Sequence, residues 1–186
     1  MKRCEWVLLG DESYVKYHDE EWGVVVHSDR VLFEFLILEG AQAGLSWSTI
    51  LKKRENYRKA FDGFDFEKVA KYGSLKVESL MKDEGIVRNR LKINSSVRNA
   101  KVFVSIRKEF GSFDKYIWGF VGGRVVDNKI ERMKDVVASS DLSDEISKDL
   151  KRRGMNFVGS TIVYAFLQAV GIVNDHEVGC CCRKVR

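Results

Sequence analysis

The sequence predicts an all-α fold, and three features point to it. Long stretches that alternate apolar and polar residues, the mark of strands, are absent from the chain. Capping residues such as Ser28, Asp29 and Ser46 stand just before helix-like runs. Glycines, among them Gly23, Gly85, Gly154 and Gly171, punctuate those runs where helices should stop. At 186 residues the chain is long enough for one domain with a sizeable core, and it carries no internal repeat or linker.

Taken in order, residues 12–21 read as a short first helix with Tyr14, Tyr17 and His18 on one face. Gly23 breaks it, and Val24-Val25-Val26 is the most extended piece of the chain. Ser28 or Asp29 caps the next helix, residues 31–43, which is apolar nearly all round and belongs in the core. Glu39 follows its apolar stretch, where a buried carboxylate costs several kcal/mol unless paired; the bland alternative is that it faces solvent or caps a helix. Gly40, Gln42, Gly44, Leu45 and Trp47 make a helix-to-helix junction, with Ser46 capping a helix over residues 47–61.

Asp65 starts a short helix, and residues 75–82 form another. A turn over residues 83–87 leads to a long helix, 89–110. Gly85 permits a turn conformation closed to most residues. The second helix of this hairpin opens with Arg88, Arg90 and Lys92, beside free N–H groups that suit an anion such as phosphate. A solvated surface hairpin is the competing reading. Residues 112–120 are helical again, with Asp114 expected to cap or solvate that helix. Residues 124–140 resist assignment. A charged helix capped by Asp141 or Ser143 ends at Gly154, and the last helix covers residues 161–170.

The tail reads Asn174, Asp175, His176, Glu177, Val178, Gly179, Cys180, Cys181, Cys182. His176 and Cys180 can grip one ion, and Cys4 with His18 would complete a tetrahedral zinc set that ties the termini together. Exposed thiols and an ordinary buried Cys4 remain the alternative, and Cys181 or Cys182 could compete with Cys180. His27 has no cysteine near it and reads as a loop residue.

No run approaches the roughly 20 apolar residues of a membrane span, and the start MKRCEW lacks an apolar signal core. A cytoplasmic, reducing compartment is expected, where cysteines serve as metal ligands more often than as disulfides. The formal net charge of +5 favours an anionic partner.

Together RCEW, YVKYHDEEWG, LEGAQAGLSW followed by ILKKRENYRKAF, EGIVRNRLKI and FVGSTIVYAFLQAVGIVNDHEVGC resemble the DNA-3-methyladenine glycosylase I family from Cys4 to Cys182. The resemblance implies a helix-hairpin-helix fold over one domain, residues 1–186, that removes 3-methyladenine from double-stranded alkylated DNA; a monomer is the separate expectation. It implies a structural zinc on Cys4, His18, His176 and Cys180. It puts Glu39 in a base pocket with Tyr14, Tyr17, Trp22 and Trp47, and Trp6 nearby. Gly44 and Leu45 would press into the DNA, and the hairpin with Gly85, Arg88, Arg90 and Lys92 would hold its backbone. It also implies that the catalytic Asp of many related glycosylases is missing, so Asp114 is not assigned that role. A non-enzymatic DNA-binding module shares the hairpin but leaves Glu39 among aromatics unexplained. A zinc hydrolase conflicts with four protein ligands, which close the coordination sphere.

Overall fold

The computed structural model describes residues 1–183. Its centre is α2, Asp29–Gln42, whose residues from Leu32 to Ala41 are all buried. Such a helix, apolar on every side, is stable only when neighbours cover it all round. Those neighbours are α3 (Trp47–Ala60), α6 (Arg90–Phe110), α7 (Phe113–Gly119) and α9 (Ser160–Ala169). Around it Phe33, Phe66, Phe103 and Phe113 pack ring against ring, with Phe103 and Phe113 stacked at 4.1 Å.

The remaining helices are α1 (Glu12–Glu20), α4 (Phe66–Val69), α5 (Ser74–Lys82) and α8 (Asp141–Arg152). Local capping chemistry sets most boundaries. Asp11 accepts from the Ser13 and Tyr14 amides, Ser46 from Thr49, Asn89 from Lys92 and Ser112 from Lys115. Three caps differ from expectation. Ser28 makes no side-chain cap bond, and Asp29 ties the start of α2 outward to Arg107 and to the Asp114 amide. Ser140, not Asp141 or Ser143, caps α8 in a reciprocal pair with Ser143. Asp114 leaves the capping of α7 to Ser112; its carboxylate bonds the exposed His27 ring at 2.7 Å.

Among the described residues the only ladder joins β1 (Val126–Asp127) to β2 (Val173–Asn174), parallel, with Val126 opposite Val173. The stretch 124–140 is therefore anchored to the C-terminal segment, with a further bond from the Val178 amide to the Ile130 carbonyl at 2.7 Å. Val24–Val26 is extended but pairs with no strand: Gly23 and Val26 donate to carbonyls of Gln168 and Val170 at the end of α9. At Gly171, φ is +72° and an added Cβ would lie 2.6 Å from the Val24 carbonyl carbon, so glycine is required. No helix among the described residues is long and apolar enough to cross a membrane.

Candidate active site and metal centre

Cys4 near the start of the chain, His18 at the end of α1, and His176 and Cys180 after β2 converge in one buried cluster. Cys4 Sγ lies 3.5 Å from His176 Nδ1, and Cys180 Sγ lies 3.4 Å from His18 Nε2 and 3.5 Å from His176 Nδ1. Sulfur and nitrogen on a tetrahedral zinc stand about 3.6 Å apart, given bonds of about 2.3 and 2.0–2.1 Å. The donor set therefore fits a metal ion in spacing as well as in chemistry. Each imidazole is oriented by its other nitrogen: His176 Nε2 donates to the Trp22 carbonyl at 3.0 Å, and His18 Nδ1 to Asp19 at 2.8 Å. Both are thereby left with a lone pair directed at the cluster. Burial holds His176 down to about 4, so its ring is neutral, as a ligand must be, and pushes the Cys4 thiol up to about 12 in the absence of a cation. Gly23, at φ +75°, makes room for this arrangement: a Cβ there would meet His176 Nε2 at 2.9 Å. Cys181 is exposed, and Cys182 turns toward Asp19, with its amide on Cys180 Sγ at 3.4 Å.

Against this cluster lies a cavity of about 310 Å³. Trp6, Tyr14, Tyr17, Trp22 and Trp47 form aromatic walls, and Glu39 lies among them. The rings meet largely edge to face or tilted, Trp6 with Trp22 at 4.9 Å, Trp6 with Tyr14 at 5.5 Å and Tyr17 with Trp47 at 5.3 Å. Trp22 also packs on His176 at 4.6 Å, so the metal cluster supports one wall directly. Two indole N–H groups, Trp6 Nε1 and Trp47 Nε1, are buried without a hydrogen-bond partner among the described residues. Orphaned donors on residues that line a cavity are available to a ligand's acceptors.

Glu39 is 4% exposed, and no hydrogen bond or ion pair reaches it among the described residues. Burial alone pushes its carboxyl up to about 8. The contrast is Glu34, one turn and a half earlier on α2, which is equally buried but binds Arg54 Nε at 2.6 Å and Arg58. One carboxylate is spent on structure; the other is left facing a cavity. Gln42, which the sequence reading placed at the junction after α2, also lines the cavity; Met133, Val136, Ala165 and Gln168, which that reading missed, complete the lining. Met133 and Val136 come from the segment that local patterns left unassigned, which the β1–β2 ladder and the Val178–Ile130 bond tie to the C-terminal segment.

The junction after α2 carries Gly44 at φ +77° and Leu45, which is 41% exposed for so apolar a side chain. Lys92, expected at a phosphate, donates its ammonium to the carbonyls of Ala41 and Ala43 at 2.8 and 2.6 Å. It satisfies the C-terminal carbonyls of α2 and braces the Gly44–Leu45 turn. The hairpin turn between α5 and α6 rests on α3 through Lys53 to the Glu84 carbonyl and Val87 to the Tyr57 hydroxyl. Gly85 keeps a negative φ, so backbone freedom is not its reason; a Cβ would stand 2.8 Å from that of Asn56. Arg88 and Arg90 are half exposed and make surface pairs with Glu84 and Glu78.

A helical hairpin set beside an aromatic cavity with one uncompensated carboxyl defines the helix-hairpin-helix class of DNA glycosylases. Within it, the methyladenine glycosylase family model matches residues 6–184, and the chain belongs to that family. It is 47% identical to DNA-3-methyladenine glycosylase 1 of Escherichia coli (strain K12) across 98% of this chain and 97% of that one. A solved structure of a Tyr-to-Phe variant of 3-methyladenine DNA glycosylase I in complex with 3-methyladenine is 36% identical, superposes with a TM-score of 0.96 and is covered, like this chain, to 100%. The enzyme from Staphylococcus aureus, solved to explain its recognition of 3-methyladenine, is 38% identical with a TM-score of 0.93, over 95% of this chain and 94% of that one.

Proposed function

We propose that this protein is a base-excision repair enzyme that hydrolyses the N-glycosidic bond of 3-methyladenine in double-stranded alkylated DNA and leaves an abasic site. The observation that carries this reading is Glu39, a buried carboxyl with no protein partner in a cavity walled by aromatic rings. A base inside a duplex is out of reach, so the nucleotide must be extruded. Aromatic faces then stack on it, with about 1–3 kcal/mol per base. N3-methylation makes the adenine cationic, and a desolvated cation over tyrosine or tryptophan rings gains about 2 kcal/mol. Glu39 supplies the opposite charge: a cation beside it favours the ionised form that burial disfavours in the free protein. A cationic purine is already a good leaving group. Binding and electrostatics therefore suffice, with water as the attacking group and no acid required to protonate the base.

Gly44 and Leu45, on a braced and exposed turn, suit insertion into the gap left by the extruded nucleotide. Gly85, Arg88 and Arg90 suit the phosphate backbone, and Lys92 supports them from behind by holding the turn. Cys4, His18, His176 and Cys180 suit a structural zinc, one per chain; when bound, it supplies rigidity, since four protein ligands leave no position for an activated water. One continuous core supports a single domain, and the reading requires no second copy of the chain.

The test is release of free 3-methyladenine from alkylated double-stranded DNA by the purified protein. DNA binding without any release of base would leave a binding module and refute the enzyme.

A further inference from the structure

Gln168, on α9, lines the cavity, and its side chain belongs to a second buried polar group. Its Nε2 donates to Asp175 Oδ2 at 2.7 Å. Asp175 is 2% exposed and also accepts from the Tyr164 hydroxyl and from Asn128 Nδ2, each at 2.7 Å. A carboxylate can only accept, so three donors around it fix which end of each amide points inward. For Gln168 the nitrogen is committed to Asp175. Its amide oxygen has no hydrogen-bond donor among the described residues. The cavity thus contains a neutral acceptor whose orientation cannot reverse without breaking a buried network.

An adenine alkylated at N3 and attached to deoxyribose at N9 has one kind of N–H donor, the 6-amino group. We infer that Gln168, held by Asp175, reads this position: its oxygen accepts from the 6-amino group of a 3-alkylated adenine and opposes the 6-oxo group of a 3-alkylated hypoxanthine. The assignment rests on the glycosylase reading above and adds a determinant of which base is taken. Glu39 supplies charge, which both cationic bases share in DNA, and an acceptor; the 6-amino group has two N–H bonds, and Gln168 adds a second, neutral acceptor fixed in place. Unsatisfied polar groups of a site are what reject the wrong isostere most strongly.

The experiment titrates free 3-methyladenine and free 3-methylhypoxanthine into wild-type protein and Gln168→Met, followed by tryptophan fluorescence. Methionine keeps the length and volume of the side chain but accepts poorly. The wild-type preference for 3-methyladenine should fall at least about fivefold in the variant, the usual loss for one neutral hydrogen bond, mainly through weaker binding of the adenine. An unchanged preference overturns the assignment even if both affinities drop, since a purely structural role would weaken both alike. A wild-type protein that binds neither base overturns this assignment and the glycosylase reading together, whereas binding with an unchanged preference overturns this one alone. If Gln168→Met does not fold, the side-chain amide resonances of Gln168 in wild-type protein carry the test. They should shift on addition of 3-methyladenine and stay in place with 3-methylhypoxanthine, and the absence of any shift with 3-methyladenine overturns the assignment.

Discussion

Glu39→Gln keeps the volume of the side chain in the cavity and removes only its capacity to ionise. The carboxyl is held at about 8 against an ordinary 4.5, so between those values the folded protein keeps a proton that the unfolded chain has lost. Stability accordingly falls as pH rises through this window, and above about 8 the penalty is complete. Glutamine avoids that fall. At about 1.4 kcal/mol per pH unit the variant should be more stable than wild type by about 3 kcal/mol at pH 7, or roughly 6–12 °C in melting temperature for a chain of this size. Near pH 5 the two should differ by less than about 1 kcal/mol. Activity should move the other way. A hydrogen bond from a charged partner contributes about 1.5–3 kcal/mol against about 1 for a neutral pair, so excision should slow about tenfold or somewhat more. Wild-type kcat/KM should also rise with pH toward a plateau near 8, and the variant's should be flat. Single-turnover release of 3-methyladenine, together with denaturation at pH 5 and pH 8, measures both effects. Equal excision rates, or a stability difference that does not grow between the two pH values, would refute the reasoning.

Removing metal with a chelator, or replacing Cys180 by serine, should abolish one equivalent of bound zinc and lower the melting temperature. The cost should be less than the roughly 10–16 kcal/mol of zinc-finger peptides, because the helical core remains; elemental analysis that finds no metal in protein purified without chelators, with unchanged melting of the variant, would disprove the clasp. Arg88→Ala and Arg90→Ala should each reduce the salt slope of DNA binding by about 0.9. Lys92→Met should leave that slope unchanged while costing about 1–3 kcal/mol of stability from unsatisfied carbonyls; a reduced slope for Lys92→Met would show a phosphate contact after all. Asp114→Asn should retain most of the wild-type excision rate, since its carboxylate bonds an exposed histidine and neither residue lines the cavity, and a collapse in single-turnover rate with intact folding would make Asp114 catalytic.

What the sequence made legible was largely what short-range chemistry decides. Asn89 and Ser46 sit where N-caps belong, so α3 and α6 were expected to within a residue or so of their observed bounds. His176 with Cys180, and Cys4 with His18, exposed a ligand set because few side chains can serve. Other features depend on contacts that no local pattern encodes. Glu34 and Glu39 lie on one apolar helix, and only the approach of Arg54 and Arg58 from α3 distinguishes the paired carboxylate from the free one. Lys92 has the composition of a phosphate ligand, yet the end of α2 arrives within reach of its ammonium. Met133 and Val136 reach the cavity because two residues of backbone pair with Val173–Asn174, a ladder too short to leave an alternating signature.

The metal cluster takes two ligands from the first eighteen residues and two from the last eleven, with His18 on the same helix as Tyr14 and Tyr17. No single stretch of the chain therefore holds more than half of the site. Contacts this distant in sequence close only after the intervening helices have folded, so the four side chains come together late in folding. The same step fixes the far wall of the cavity through Trp22 on His176.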